Sequence, residues 1–380
     1  MKYNYKVEEQ TLEKYYQQAV QLIETQALDQ IQKEIKESLD IFIERIETDK
    51  SLTQVIITTL LKKIIKPQQD IRLHMAKFPN GYSARVLDTK VTTPFFKRKF
   101  LKYANKETAF LTKATRAEII WNFEEGIKLP LKSKILVEPF LKLIDKIENQ
   151  TIDIEQCLVY ILSQLYFLCQ SHKVVFSETL KVANSVNIIN INRVVKMVEK
   201  HFEEPYSSRL PVIVIFAIYK QLFKTVRRFE NKILLPLNVH TSADKHGYGD
   251  IEIRDNDNNP FEILEIKHNI PIDRNIILDI VKKSTDTKIQ RYYILTTYKE
   301  CFISKDDEEY INELILNIKR ESGLEIIANG IVNTLKYYLR FVEDYSEFIN
   351  TYTEELVRES LTSTEVRDSH IRTWQRILQE

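Results

Sequence analysis

The chain has 380 residues, 43% of them hydrophobic and 29% charged, with a formal net charge of +1. This is the composition of an ordinary soluble protein with room for two or three domains, and the 6 glycines and 10 prolines predict many helices with short connections. The 3 cysteines lie far apart, without the spacing of a zinc site or a disulfide framework. No run of about 18 apolar residues and no signal-peptide core is found, so we expect a cytoplasmic protein without a membrane partner.

Residues 1–66 repeat apolar side chains at helical spacing, and Pro67 follows them. The pattern predicts two or more core helices, to which we assign no chemistry. Helical patterns return over residues 117–203, again as scaffold.

Between these helical stretches lies a basic segment, residues 61–116, with 14 lysines and arginines against 3 acidic residues, a net charge of +11. We predict a turn at 79–81, an extended and hydroxyl-rich stretch over 82–94, and a basic helix that begins at Phe95. A basic segment on a balanced chain favours a phosphate-binding surface. A solvated basic face without a ligand is the alternative.

The second half alternates short apolar strands with helices from residue 206 onwards. The order hairpin, helix, strand, helix, strand predicts a mixed sheet flanked by helices. We therefore expect an α+β protein with two domains: a mainly helical region for DNA recognition or scaffolding over 1–205, and an α/β region with C-terminal helices over 206–380.

The most informative stretch is residues 247–267, GYGDIEIRDNDNNPFEILEIK. Polar and apolar residues alternate over 250–254, turn-forming residues follow over 255–260, and a second strand covers 261–267, which predicts a β-hairpin. Because side chains alternate faces along a strand, Glu265 and Lys267 point the same way. Asp250 on the partner strand is the natural third member of this cluster.

The three side chains suit a metal-dependent nuclease. Two carboxylates supply the hard oxygen ligands that Mg²⁺ prefers, and a lysine orients an attacking water or stabilises charge on a phosphate. The same acid-x-Lys spacing recurs at 34–36, 88–90 and 286–288, where it is expected to be an accident of helix or loop. The alternative for the hairpin itself is a surface ion pair without chemistry.

The hairpin resembles the PD-(D/E)XK nuclease superfamily, with Gly249 where the proline would stand. Two further segments, DIRLH…GYSAR…DTKVTTPF from residue 70 and SSRLP at 207–211, resemble type II restriction endonucleases of the SacI-type family. The resemblance implies a restriction-endonuclease-like core in which Asp250, Glu265 and the Ile266 carbonyl bind Mg²⁺, with Lys267 acting on the water.

The charge and the residue types of the basic segment, together with the same resemblance, indicate a set of DNA-contacting residues there and at the start of the second half. They are Tyr82, Ser83, Arg85, Lys90, Thr93, Lys97, Arg98, Lys99 and Arg209. Asp88 belongs to the same segment, either as a DNA contact, as a residue that fixes the loop, or as a partner of Lys90. Arg209 is a phosphate ligand or braces a helix entrance. Glu230 and His246 are carried as accessory residues of the metal site.

The function implied is Mg²⁺-dependent, sequence-specific hydrolysis of double-stranded DNA that leaves a 5′-phosphate, by a homodimer whose genetic partner is a cognate DNA methyltransferase. Two alternatives stay open. One is another PD-(D/E)XK nuclease, such as a repair or structure-specific enzyme. The other is a non-catalytic helical protein that binds DNA or another partner, in which the hairpin is only structural.

Overall fold

The computed structural model of the chain describes residues 4–186, 190–237, 247–285, 287 and 289–380. They form two compact units, 1–174 and 175–380. This division lies earlier in the chain than the predicted boundary at 205/206. The helix Ile191–Phe202 belongs to the second unit because it packs on the C-terminal helices of that unit. None of the helices in the described part of the chain has the length and apolar character of a membrane span.

Among its described residues the first unit contains helices joined by turns and loops, and no strand. Its longer helices bury apolar stripes in one core that includes Leu39, Phe42 and Ile56. The α-helices that begin in it are α1 (Lys6–Glu24), α2 (Lys33–Glu44), α3 (Ile46–Ile65), α4 (Ala84–Leu87), α5 (Thr93–Lys99), α6 (Lys113–Arg116), α7 (Phe123–Gly126), α8 (Val137–Glu148) and α9 (Ile154–Ser185).

The prediction of an extended stretch over 82–94 is wrong, because this segment is helical. Ser83 caps α4 by accepting a hydrogen bond from the Val86 amide at 3.3 Å, and a wider helical turn, Asp88–Thr92, leads directly into α5. Local composition favoured an extended chain, but contacts with distant segments decide the conformation.

Those contacts centre on Asp88, whose side chain is fully buried. Its carboxylate accepts hydrogen bonds from side chains and from one backbone amide on three other segments. The donors are Gln54 Nε2 at 2.7 Å, Thr58 Oγ1 at 3.2 Å, Thr93 Oγ1 at 3.1 Å, Thr108 Oγ1 and the Ala109 amide at 2.8 Å. A buried carboxylate is stable only with such partners, so the residues around it adopt the backbone that supplies them.

The second unit contains a sheet and the helices that cover it. Its elements are α10 (Ile191–Phe202), α11 (Leu210–Thr225), β1 (Lys232–Leu234), β2 (Ile251–Asp255), β3 (Pro260–Lys267), α12 (Arg274–Ser284), β4 (Arg291–Thr296), α13 (Lys305–Ser322), β5 (Glu325–Gly330), α14 (Ile331–Leu339), α15 (Tyr345–Thr362) and α16 (Asp368–Gln379). The strands lie in the order β1-β2-β3-β4-β5. β1, β2 and β3 pair antiparallel, whereas β3, β4 and β5 pair parallel. The predicted fold class, α+β with a mixed sheet flanked by helices, is confirmed.

Each face of the sheet is covered by its own group of helices. On one face, Ile251, Leu264 and Leu295 belong to a core shared with α10, α11 and the C-terminal helices. On the other face, Ile263, Tyr292 and Ile294 pack with apolar residues of α12 and α13. Because β3 is buried on both faces, the polar side chains at its end are only partly exposed, Glu265 to 13% and Lys267 to 27%.

A buried histidine links three helices of the second unit. His201 Nε2 donates to the His370 carbonyl at 2.9 Å, so its Nδ1 accepts from the Tyr352 hydroxyl at 2.8 Å and the ring is neutral. The ring also stacks on Trp374. Burial lowers the pKa of His201 to about 3, although the hydrogen bond to His370 acts in the opposite direction.

We expect this histidine to weaken the fold in acid. An unfolded imidazole with an ordinary pKa of about 6.5 binds a proton that the native ring excludes, so stability present above about pH 6.5 is lost as pH falls towards 3. From pH 7 to pH 5, the His201 contribution to the free energy of unfolding falls by about 2 kcal/mol. Urea denaturation at both pH values measures the free energy of unfolding. Between pH 7 and pH 5 it should fall by about 2 kcal/mol more in the wild type than in His201→Gln. Equal decreases in the two proteins would contradict the neutral, buried ring.

Candidate active site

The hairpin predicted from residues 250–267 consists of β2 and β3 joined by a turn. Asp255 Oδ1 accepts from the amides of Asp257 at 3.0 Å and Asn259 at 2.9 Å, and Asn258 adopts a left-handed conformation with φ of 65°. Asp and Asn favour such turns because their short polar side chains bond the nearby backbone. The turn sets the register in which Ile251 faces Leu264.

Gly249 allows the chain to approach β3 closely before β2 begins. A Cβ atom at this position would lie 2.6 Å from Ile263 Cγ2 and 2.6 Å from the Leu264 carbonyl oxygen. The next residue, Asp250, donates its amide to that same carbonyl at 2.8 Å. The glycine therefore lets the backbone place Asp250 beside the end of β3.

Asp250 and Glu265 meet at this edge of the hairpin. Asp250 Oδ2 accepts a hydrogen bond from the Ile266 amide at 2.8 Å, which fixes the carboxylate next to β3. Burial and the negative charge of Glu265 raise the pKa of Asp250 above its ordinary value. The Ile266 amide, Arg209 and Lys267 act in the opposite direction. The two predicted metal ligands are thus close enough to repel each other.

The Ile266 carbonyl is the third predicted oxygen ligand. The Leu264 carbonyl and the Ile266 amide both point towards the β2 side, whereas the Lys267 carbonyl accepts from Thr297 on the β4 side. Because backbone groups of alternate residues point to the same neighbouring strand, the Ile266 carbonyl also points to the side of Asp250.

Glu265 is surrounded by hydrogen-bond donors. Lys267 Nζ lies 2.7 Å from its Oε1, and Lys283 Nζ of α12 lies 3.5 Å from its Oε2. The buried Tyr292 hydroxyl donates to the Tyr248 carbonyl at 2.5 Å and lies 3.3 Å from Glu265 Oε2. The Glu265–Lys267 pair is as predicted, whereas Lys283 and Tyr292 were missed by sequence analysis.

Arg209 stands at the entrance of α11 and is buried. Its Nε donates to Glu359 Oε2 at 2.8 Å, and both side chains are only 6% exposed. Arg209 also acts electrostatically on Asp250. This arrangement agrees with the bracing role considered for Arg209 rather than with a phosphate ligand at the surface.

The structure does not bring Glu230 to this site. Its side chain is 67% exposed beside Arg227. It precedes β1, whose first residue, Lys232, pairs with Asp255 at the far end of β2 from Asp250. Five residues of a strand span about 16 Å, so the assignment of Glu230 as an accessory ligand is wrong. His246 lies outside the described residues.

The other acid-x-Lys copies do not form comparable sites among the described residues. The copy at 34–36 lies in α2, and that at 88–90 lies in a helical turn where the acid is buried and bonded by other groups. The copy at 286–288 has both its acid and its lysine outside the described residues.

The predicted DNA-contacting residues of the first unit divide by exposure. Arg85, Lys90, Lys97 and Arg98 are exposed. The others take part in the packing of the unit. Tyr82 is buried, Ser83 caps α4, Thr93 bonds Asp88, and Lys99 pairs with Glu13 at 2.8 Å and lies over the Tyr16 ring.

No protein-family model matches this chain, and no curated protein matches it either.

Proposed function

We propose that this chain is a Mg²⁺-dependent endonuclease that cleaves double-stranded DNA, in the specific form of a type II restriction endonuclease. The observation that carries the proposal is the arrangement at the end of one hairpin in a mixed sheet, where Asp250 accepts the Ile266 amide and interacts with Glu265, and Glu265 contacts Lys267.

The residues fit a hard divalent cation. Carboxylate and carbonyl oxygens are the ligands that Mg²⁺ prefers, and no sulfur or imidazole ligand is needed. The raised pKa of Asp250, caused by burial and by Glu265, identifies a place where negative charge is crowded and a cation would relieve it. Asp250, Glu265 and the Ile266 carbonyl would hold the ion.

The chemistry divides between the ion and the protein. A bound Mg²⁺ lowers the pKa of a water molecule and neutralises charge on a phosphate oxygen. Lys267 positions or deprotonates the water that attacks phosphorus in line and stabilises the charge that develops. The Ile266 amide holds Asp250 in place, and the Lys267 ammonium contacts Glu265. By family analogy the product carries a 5′-phosphate.

The restriction class is supported by the segments at 70–95 and 207–211, which resemble SacI-type enzymes. In this proposal a homodimer cuts both strands, and a cognate DNA methyltransferase protects the host DNA. A repair nuclease of the same superfamily would instead act at flaps, ends or lesions. Discrete fragments from intact duplex DNA would therefore favour a restriction endonuclease over a repair nuclease.

Metal replacement tests the proposal. Phage DNA incubated with the protein and Mg²⁺ should give discrete fragments, EDTA should stop the reaction, and Ca²⁺ should support DNA binding without cleavage because its coordination is larger and looser. Cleavage measured on gels and binding measured by gel shift in the three conditions provide the check. Full cleavage in EDTA would refute the metal mechanism.

The exposed basic residues of the first unit should bind phosphates. Replacing Lys97 and Arg98 with alanine should weaken binding to all duplex sequences and reduce the slope of log K against log salt by about 2, since each phosphate contact contributes about 0.9. The control variant replaces Lys128 and Lys132, which are exposed in the same unit and carry the same charge but lie outside the basic segment. Equal slopes in both variants would show that the basic segment is only solvated surface.

A further inference from the structure

Lys283 lies on α12, a helix that covers the sheet, rather than on the hairpin or its neighbouring strand, and its ammonium has two acidic partners. Its Nζ lies 2.9 Å from Asp279 Oδ2, one turn earlier in α12, and 3.5 Å from Glu265 Oε2. The side chain is 34% exposed. The lysine therefore lies between the carboxylates of the site and the solvent.

Both oxygens of Glu265 are engaged in this arrangement. Oε1 contacts Lys267, and Oε2 faces Lys283 and the Tyr292 hydroxyl. A divalent cation that binds Glu265 must displace at least one ammonium or share an oxygen with it. A divalent cation and an ammonium that share one Glu265 oxygen carry charges of the same sign at close range and therefore repel each other.

Of the two lysines, Lys283 is the better placed to leave. Its contact with Glu265 is longer than that of Lys267, 3.5 Å against 2.7 Å. It already has a second carboxylate, Asp279, which is 56% exposed. Its flexible stem allows the ammonium to turn outwards, where a phosphate of bound DNA offers a stronger partner.

We propose that Lys283 is an internal counter-ion of the site: it holds Glu265 in the DNA-free protein and transfers to a DNA phosphate when a divalent cation binds Glu265. The inference rests on the proposed function and deepens it, since it makes the metal and the DNA bind cooperatively. The coupling is reciprocal. A DNA phosphate draws away the Lys283 ammonium that opposes the cation, and the cation releases that ammonium from Glu265 so that it can bind the phosphate.

Metal titration of the DNA-free protein tests this. Ca²⁺ binding measured by calorimetry should be about tenfold tighter in Lys283→Met than in the wild type, because one opposing unit charge close to a carboxylate typically changes its cation affinity by that order. Lys283→Gln repeats the test with a polar side chain. Lys283→Arg keeps the charge and should bind Ca²⁺ as the wild type does. Lys282→Met is the matched control, since Lys282 is the exposed neighbour on the same helix.

DNA binding supplies the second measurement. With Ca²⁺ present, Lys283→Met should show a slope of log K against log salt that is smaller by about 1, the value for one lost phosphate contact, and Lys282→Met should keep the wild-type slope. Unchanged or weaker Ca²⁺ binding in both Lys283→Met and Lys283→Gln, or an unchanged slope, overturns the inference.

The variant Asp250→Asn separates this failure from failure of the proposed function. If Asp250→Asn loses Ca²⁺ affinity while the Lys283 variants behave as the wild type, the metal site stands and only the counter-ion role of Lys283 is refuted. If Asp250→Asn binds Ca²⁺ as tightly as the wild type, the proposed metal site itself is refuted.

Discussion

Replacing Asp250 with asparagine is expected to reduce DNA cleavage by about a thousandfold or more while leaving the metal-free protein at least as stable as the wild type. The asparagine side-chain oxygen can still accept the Ile266 amide, which Asp250 accepts at 2.8 Å. What disappears is a negative charge that burial and Glu265 disfavour, as the raised pKa of Asp250 indicates. Stability should therefore be unchanged or higher at pH 7.

A structural role predicts the opposite sign. If Asp250 were needed as a partner of a buried cation, its neutralisation would leave that cation unpaired and would destabilise the protein by about 3–5 kcal/mol. Asp257→Asn is the control, because Asp257 is exposed in the turn of the same hairpin and loses the same charge. Thermal unfolding without metal and cleavage in Mg²⁺ are measured for both variants. An Asp250→Asn protein that cuts normally, or that melts far below the control, would contradict the catalytic assignment.

Glu265→Ala and Lys267→Ala should also lose cleavage. Their stability changes should be small, about 1 kcal/mol, because Lys267 and Lys283 are partly exposed and water can solvate an ammonium that loses its partner.

The largest stability effect is expected from Asp88→Ala, a loss of about 3–5 kcal/mol in the free energy of unfolding of the first unit. The substitution would remove the acceptor shared by Gln54, Thr58, Thr93, Thr108 and the Ala109 amide, and would leave buried donors without partners. Urea denaturation of the variant measures this loss.

Lys90→Ala is the matched comparison for Asp88. Lys90 is exposed and two residues away, so its replacement should change stability by no more than about 0.5 kcal/mol. An Asp88→Ala protein of wild-type stability but with weakened DNA binding would restore the alternative in which Asp88 contacts DNA.

The hairpin and its cluster could be predicted because their determinants are local. Alternation over 250–254, turn chemistry over 255–260 and the two-residue period that places Glu265 and Lys267 on one face are all visible in consecutive residues. The register that brings Asp250 to the Ile266 amide depends on this turn and also on an irregularity between Ile253 and Arg254, which local patterns do not indicate. The order of the later strands and helices similarly predicted the mixed sheet.

The conformation around Asp88 could not be predicted in this way. Its hydrogen-bond donors come from α3, from α5 and from residues 108 and 109, and no short-range pattern indicates that these segments meet. The hydroxyl-rich composition of residues 82–94 predicts an extended stretch. In the structure Thr93, like Thr58 and Thr108 of other segments, donates to the buried Asp88 carboxylate.

Glu230 and Lys283 show the same limit for the site. Glu230 precedes Asp250 by 20 residues and Lys283 follows Glu265 by 18, so the two separations in the chain are similar. Glu230 nevertheless lies at the far end of β2 from Asp250, because separation in the chain does not give strand direction. Lys283 reaches Glu265 because α12 packs on the face of the sheet that carries Ile263 and Tyr292. The partner of a side chain on such a helix depends on how the helix crosses the sheet.

The proposed active site is tested most directly by incubating DNA from several phages with Mg²⁺ and either the wild type or Asp250→Asn, purified identically. The wild type should produce discrete fragments carrying 5′-phosphates, and the variant should leave the DNA intact although it is folded and binds DNA in Ca²⁺. The same fragments from both proteins would show that a contaminating enzyme or a different active site cuts the DNA. Intact DNA in every wild-type reaction would contradict the proposal that this hairpin is the active site of a restriction endonuclease.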